Sequence, residues 1–195
     1  MADSVVVPVY AAELNGSKVV VEVAQDHFAL CTRVQSVPHD FFGRAVSRCG
    51  EDAWVRVRLG VRAYLDIDRR VGDQTIATPA APRSDWWPRQ HAVHFARNAS
   101  IGPEDKLYAV VSDNDWNSAP TTQYVGAVRL TSHTKVARAR WEVAVAGSWT
   151  VVGDLYSISH QRFEQGAPRG DYPTQISPKE SADIARKQKI TLSLR

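Results

Sequence analysis

The stretch KLYAVVSDND, residues 106–115, decides the fold prediction, and YVGAVRL at 124–130 supports it. In the first stretch Leu107, Ala109 and Val111 fall on one face of an extended chain. Apolar residues that alternate with a period of two, many of them β-branched, indicate a strand. Because the residues between them are also largely apolar, this strand is predicted to be buried on both faces.

Four further short runs with the same character are separated by clusters of Gly, Pro, Asn and Asp. In one of them Val55, Val57 and Leu59 alternate with Arg56 and Arg58, which predicts a strand with one wet face. Seven or eight strands, with almost no helical periodicity before residue 175, predict an all-β, antiparallel eight-stranded sandwich. The runs are KVVVEVA (18–24), DAWVRVRLG (52–60), RWEVAVAG (140–147) and TVVGDLYSIS (150–159).

The composition turns polar after residue 163. We therefore divide the chain into a sandwich over 1–163 and a C-terminal extension over 164–195. Ser177-Pro178-Lys179-Glu180 has the form of a capping box, which predicts a short helix over about 178–188. The final ITLSLR is interpreted as an edge strand, a partner-binding segment or a flexible end.

Composition limits the classes of partner. The 195 residues include 24 Lys plus Arg and 21 Asp plus Glu, a net charge of only +3, so no nucleic-acid partner is expected. No apolar run is long enough to span a membrane, and no basic segment begins a secretory signal. We therefore expect a cytoplasmic protein, at most peripherally bound to a membrane, with reduced Cys31 and Cys49.

Catalytic motifs are not found. The sequence has no G-x-S-x-G elbow, no phosphate-binding P-loop and no G-x-G-x-x-G, and its six histidines are scattered. These observations predict a protein that is not an enzyme.

An acidic cluster directly follows the strand at 106–111. Asp113 and Asp115 are two residues apart, so on an extended chain their carboxylates point the same way, and Asn117 follows. Oxygen ligands of this kind suit calcium, whereas Asp and Asn are equally common in an ordinary turn. The spacing leaves both interpretations open.

Most of the chain, from about residue 18 to 160, resembles the C2 domain family. The resemblance rests on the apolar strand that ends in Asp113-Asn114-Asp115, on Tyr124-Val125-Gly126-Ala127-Val128, and on Glu51-Asp52-Ala53-Trp54-Val55-Arg56-Val57. It implies a C2-like β-sandwich in which two loops bring Asp40, Asp52, Asp113 and Asp115 together around calcium, with Asn117 beside them. The fifth acid of the family is replaced by Thr121 and Thr122, which weakens the expected site.

The resemblance implies a non-catalytic recruitment module that docks on anionic membrane lipids, with calcium as an assisting cofactor. Trp116 would enter the lipid interface. Two open alternatives are a calcium-independent protein-interaction scaffold and a calcium-dependent carbohydrate-binding sandwich that uses Trp86, Trp87 or Trp116. The residues expected to contact a membrane or a protein partner are Trp116, Arg56, Arg58, Arg62, Lys135, Arg138 and Arg140.

Overall fold

Strands and helices both contribute to the fold. The computed structural model describes residues 3–10, 20–45, 47–65, 85–97, 105–119, 123–132, 142–145, 148–165, 168 and 170–191. The elements in these ranges are β1 (Asp3–Val6), β2 (Val9–Tyr10), β3 (Val20–Ala24), β4 (His27–Leu30), β5 (Gln35–Pro38), α1 (Glu51–Tyr64), β6 (Val93–Arg97), β7 (Asp105–Val110), α2 (Asn114–Asn117), β8 (Tyr124–Thr131), β9 (Glu142–Val145), β10 (Ser148–Ser159) and α3 (Pro178–Thr191).

A five-stranded antiparallel sheet, in the order β6-β7-β8-β10-β9, forms the centre of the fold. A three-stranded sheet, β2-β4-β3, and the pair β1-β5 accompany it. The long strand β10 changes register between Thr150 and Leu155; its first half pairs with β9 as well as β8. The Leu155 N–H donates to Ser36 Oγ at 3.1 Å, so β10 also contacts β5.

The all-β prediction is wrong because residues 51–64 form the helix α1. Ala53, Val57, Val61 and Tyr64 are buried, at spacings of four, four and three residues, which is the period of a helix face. The alternation of valine and arginine at 55–58 fits a strand equally well over so short a window. The architecture is therefore mixed, and an eight-stranded C2-like sandwich is excluded.

Helix α1 packs on the central sheet where β8 has a glycine. A Cβ built on Gly126 would lie 3.1 Å from Tyr64 Cε1 and 3.3 Å from Leu65 Cδ2, closer than most Cβ contacts, so glycine favours this close approach. The Asp113 N–H donates to the Tyr64 carbonyl at 3.0 Å and joins the end of α1 to the end of β7. Burial raises the pKa of the Tyr64 phenol.

Both faces of the central sheet are buried. Val128, Leu130 and Leu155 belong to a core that also includes residues of α1, whereas Tyr108 and Ala127 belong to a second core on the opposite face. The alternation seen in the sequence of β7 and β8 thus reflects two apolar environments rather than one buried and one wet face.

Helix α3 begins at the predicted capping box. The Ser177 N–H donates to Glu180 Oε2 at 2.6 Å, and the Glu180 N–H donates to Ser177 Oγ at 3.3 Å. Ile184 and Gln188 are buried, and the Lys187 ammonium donates to the Glu142 carbonyl in β9. The division of the chain after residue 163 stays a prediction.

His91 connects α3 to the edge of the central sheet. Its N–H donates to the Val110 carbonyl and its own carbonyl accepts from Ile176 N–H, at 2.8 and 2.9 Å. Its Nε2 lies 2.7 Å from Ser181 Oγ, and its φ of 68° is in the left-handed region. Burial lowers the pKa of the imidazole.

We expect Gly126→Ala to destabilise the protein by about 1–3 kcal/mol, because the added methyl group crowds the buried side chains of Tyr64 and Leu65, which would have to shift. Urea unfolding measures the loss. The matched control is Gly43→Ala, where the added Cβ meets nothing within 4 Å and no loss is expected. Equal stability of the two variants would contradict the close packing of α1 on β8.

The contribution of His91 to stability should disappear in acid. Because its pKa is lowered in the folded protein, the unfolded chain binds a proton first as the pH falls through about 6.5. Its stabilising effect is therefore complete above that pH and is lost as the pH falls toward the folded-state pKa. We expect the difference in unfolding free energy between wild type and His91→Asn to shrink on acidification.

Asparagine is chosen for this test because it tolerates a positive φ. Ser181→Ala is the control, since it removes one hydrogen bond but keeps the buried imidazole and should keep the pH dependence of the wild type. A difference between wild type and His91→Asn that stays constant with pH would contradict a neutral, buried His91.

Candidate functional site

The four aspartates that the C2 resemblance brings together are dispersed. Asp40 is exposed in the short 3-10 turn His39–Phe41, and Asp52 lies in the first turn of α1. The Asp113 N–H donates a hydrogen bond to the carbonyl of Tyr64, which lies at the other end of α1. Twelve residues of helix at 1.5 Å each separate Asp52 from Tyr64, a distance of about 18 Å.

The Asp113 to Asn117 segment is a turn that supports the fold. The Asp113 carboxylate accepts from the Asp115 N–H at 3.1 Å and caps α2. Asn117 is buried; its Nδ2 donates to the Ser112 carbonyl at 2.9 Å and its Oδ1 accepts from Ser112 Oγ at 2.6 Å. Ser112 Oγ also accepts from Gly126 N–H, so this network holds the end of β7 against β8.

Within the described ranges, no group of three or more His, Cys, Asp or Glu side chains could hold a metal ion. The C2 module is wrong because its fold is not formed. The assignment of Asp40, Asp52, Asp113, Asp115 and Asn117 as calcium ligands stays a prediction. No helix in the described part of the chain is long and apolar enough to cross a membrane.

The residues expected at a membrane have other surroundings. Trp116 is half-buried and meets Tyr64 edge-on, with 5.9 Å between ring centroids, so it packs on the core. Arg56, Arg58 and Arg62 lie on α1 rather than on a strand. The predicted contacts at Lys135, Arg138 and Arg140 lie outside the described residues.

The tryptophans proposed as sugar platforms are half-buried as well. Trp86 meets His94 edge-on at 5.4 Å between centroids, and the Arg89 guanidinium lies 5.5 Å from the centroid of Trp87. The carbohydrate-binding sandwich is overturned together with the sandwich fold.

A polar cavity lies where β8 begins and β10 ends. Its volume is about 300 Å³, in the lower range of small-molecule sites. The backbone bond from the His160 N–H to the Gln123 carbonyl, 3.0 Å, holds these two strand ends together. We call this cavity the Tyr124 pocket; it is lined by Tyr124, Ser157, Ile158, Ser159, Gln161 and Arg162.

The Tyr124 pocket combines an aromatic ring with positive charge. The Arg33 guanidinium carbon lies 4.3 Å from the centroid of the Tyr124 ring, within the range of a cation–π contact. Arg162 is exposed at the pocket, and its described lining includes no Asp or Glu. The Ser157 hydroxyl, 3.4 Å from the Thr32 carbonyl, joins the strand to the turn that carries Arg33. The pocket therefore favours an anionic ligand that also has a flat ring.

Sequence reasoning did not identify this pocket. Arg33, Tyr124 and Arg162 come from three separate parts of the chain, so no motif spacing joins them. The one local signal is the alternation of Ser157 and Ser159 in β10, which places two hydroxyls on the same side of the strand.

Comparisons with known proteins give a weak likeness. No family model and no curated protein matches the sequence. Among solved structures, the chain is similar to an endoribonuclease from a Mycobacterial species in complex with its cognate antitoxin: identity is 21%, the TM-score 0.45, and 55% of this chain and 97% of that chain are covered. The chain is also similar to a second endoribonuclease from a Mycobacterial species. Here the identity is 19%, the TM-score is 0.44, and 57% of this chain and 96% of that chain are covered.

The two similar structures are named as endoribonucleases and not as C2 domains. The predictions of a non-catalytic, lipid-docking recruitment module and of its C2-like scaffold alternative were derived from an architecture that the chain does not have, and both are withdrawn.

Proposed function

We propose that this chain binds single-stranded RNA at the Tyr124 pocket and cleaves it. The observation that carries the proposal is one polar cavity lined by an aromatic ring, Tyr124, and a guanidinium group, Arg162, with a second guanidinium group, Arg33, 4.3 Å from the centroid of that ring. Proteins that bind single strands combine stacking on aromatic rings with positive charge along the backbone.

Each part of the pocket matches one part of a nucleotide. The Tyr124 ring lines the cavity, so an unstacked base can lie against it, while Arg33 on the ring adds a cation. Arg162 is exposed and carries the planar fork of donors that binds phosphate oxygens in pairs. A base in a duplex is already stacked, which favours a single strand.

The remaining lining favours RNA over DNA. Ser159 offers a hydroxyl group that donates and accepts, and Gln161 offers an amide. The Ser157 hydroxyl donates to the Thr32 carbonyl and offers its oxygen as an acceptor. The ribose 2′-hydroxyl, itself a donor and an acceptor, is the group by which proteins distinguish RNA from DNA. A polar lining next to the aromatic ring therefore suits the sugar of RNA.

Cleavage is the second part of the proposal. Endoribonuclease is the activity named for the two similar structures, and that name supplies the reaction to assay. In RNA the ribose 2′-hydroxyl can attack the adjacent phosphorus and lose its proton to water, while the 5′-oxygen of the next nucleotide leaves and takes a proton from water. In the pocket, Arg162 is the group suited to stabilise the extra negative charge of the phosphate in this step.

This proposal replaces the expectation that the chain has no nucleic-acid partner. That expectation rested on a net charge of +3, which averages over 195 residues. An average does not reveal that Arg33 lies over the Tyr124 ring and that Arg162 lines the same pocket as that ring. Local charge is what a single strand contacts.

Substitutions in the pocket should separate stacking from charge. Loss of one aromatic stack costs about 1–3 kcal/mol, so Tyr124→Leu should weaken RNA binding about 5- to 150-fold. Loss of one phosphate contact, in Arg162→Gln, should reduce the slope of log K against log salt by about 0.7. Fluorescence anisotropy of a short labelled single-stranded RNA, titrated at several KCl concentrations, measures both.

Arg186→Gln is the matched control, because Arg186 is an exposed arginine on α3, where it pairs with Asp183 at 3.0 Å. It should bind RNA with the affinity and salt slope of the wild type. Thermal melting shows that each variant is folded. The same RNA on a denaturing gel should be shortened by the wild type and by Arg186→Gln, and more slowly by the two pocket variants.

Absence of RNA binding by the wild type would overturn the proposal. Binding without shortening of the RNA would overturn cleavage and leave binding in place. Pocket variants that bind and cleave as the wild type does would show that the Tyr124 pocket is not the site.

A further inference from the structure

Helix α3 crosses the central sheet from one side to the other. In its first half, Ser181 Oγ lies 2.7 Å from Nε2 of His91, whose N–H donates to the Val110 carbonyl in β7. In its second half, the Lys187 ammonium donates to the Glu142 carbonyl in β9, the edge strand on the far side of the sheet. Both halves of the helix are thus attached through polar contacts.

The face of α3 that is turned to the protein is largely polar. Ser181, Ile184 and Gln188 recur at spacings of three and four residues, which places them on one face of the helix. A helix that packs on a core ordinarily presents an apolar stripe to it. Over residues 178–190 of α3, Ile184 is the one large apolar side chain that is buried, since Ile190 is 41% exposed. Apolar burial therefore holds this helix mainly at a single point.

Gln188 opposes the packing of α3. Its side chain is 1% exposed, and its Nε2 has no hydrogen-bond partner among the described residues. A buried donor without a partner has lost its hydration and gained nothing in return, so it destabilises the packed position of the helix. Water reaches this amide once the helix lifts, which returns part of the free energy that lifting costs.

The sheet contributes a similar group. Thr150 in β10 is opposite Val143 in β9 and Leu130 in β8, and both of these residues share a core with Ile184. The Thr150 side chain is fully buried, and its Oγ1 also has no partner in the part of the chain that the structure describes. The helix and the sheet thus each bury a polar atom without a partner.

The central strands are held more strongly than α3. Tyr108 and Val110 in β7 and Val125 and Val128 in β8 are all completely buried, and they belong to cores on both faces of the sheet. Elements of one fold open at different free energies, and those with few buried apolar contacts open first. Helix α3 should therefore open before β7 and β8 do.

We propose that α3 is a detachable strap, which opens as one unit while the five-stranded sheet stays folded. A helix of 14 residues is marginal in water on its own, so α3 loses its backbone hydrogen bonds when it lifts. Opening uncovers the part of the core to which Ile184 belongs. The proposal concerns α3 and the core that it covers, and it does not depend on RNA binding at the Tyr124 pocket.

Hydrogen–deuterium exchange of the full-length protein, read by mass spectrometry after peptic digestion, measures the opening. The amides of α3 are compared with those of β7 and β8 in the same sample under native conditions. We expect the α3 amides to exchange about tenfold faster or more, after correction for intrinsic rates. Equal protection of the helix and the two strands would overturn the proposal, because α3 would then open only when the whole protein unfolds.

Gln188→Met removes the buried amide and keeps the length of the side chain. It should slow exchange of the α3 amides about fivefold or more, because the packed helix no longer buries a donor without a partner. Ala182→Met is the matched control, since Ala182 is exposed on the same helix and the added side chain stays in water. Its α3 amides should exchange as they do in the wild type.

Ile184→Ala tests the apolar attachment. It should speed exchange of the α3 amides about tenfold or more and leave β7 and β8 protected. Loss of protection throughout the sheet in this variant would overturn the proposal, because the helix and the sheet would then unfold together. Exchange of α3 that is no slower in Gln188→Met than in the wild type would also overturn it.

Discussion

The contact between Tyr64 and Gly126 is the constraint on which the arrangement of this protein depends. An aromatic ring at the end of α1 lies so close to β8 that a side chain at position 126 would crowd it. The hydrogen bonds between Ser112 and Asn117 lie at the same place. The hydrogen bond from the Asp113 N–H to the Tyr64 carbonyl lies there too. This contact and the hydrogen bonds around it thus hold α1, β7, β8 and the turn between the two strands together. Each of these hydrogen bonds forms only when both of its partners are in place.

The sequence predicts the strands well and the architecture poorly. The alternation at 106–111 and 124–130 corresponds to β7 and β8, and the capping box at Ser177 starts α3. The pattern at 52–60 predicts the wrong period, because its valines and arginines alternate while its buried residues recur at helical spacing. Because a strand is predicted where α1 forms, the predicted fold class is also wrong. A sandwich of two sheets has no helix packed across its sheet.

The candidate site was harder to predict than the fold. Asp113 and Asn117 are turn formers with polar side chains, so their pattern suits a metal site and a capped turn equally. The buried hydrogen bonds of the Asn117 side chain show that the segment supports the fold. Arg33 and Tyr124 meet only after the chain has folded, and nothing local in the sequence relates them. Convergence of distant residues is a property of packing, which residue patterns do not encode at short range.

Strand β10 has a consequence for how the polypeptide is made. Its residues bond to partners 119 and 125 positions earlier, through Leu155 to Ser36 and through Ser157 to Thr32. During synthesis the early strands therefore emerge long before the segment that they pack against. Contacts between such distant positions slow folding, because the entropy cost of closing a long loop comes before the contacts contribute any stabilisation. Until then the early segments lack these partners in β10, and unpaired strand edges favour aggregation.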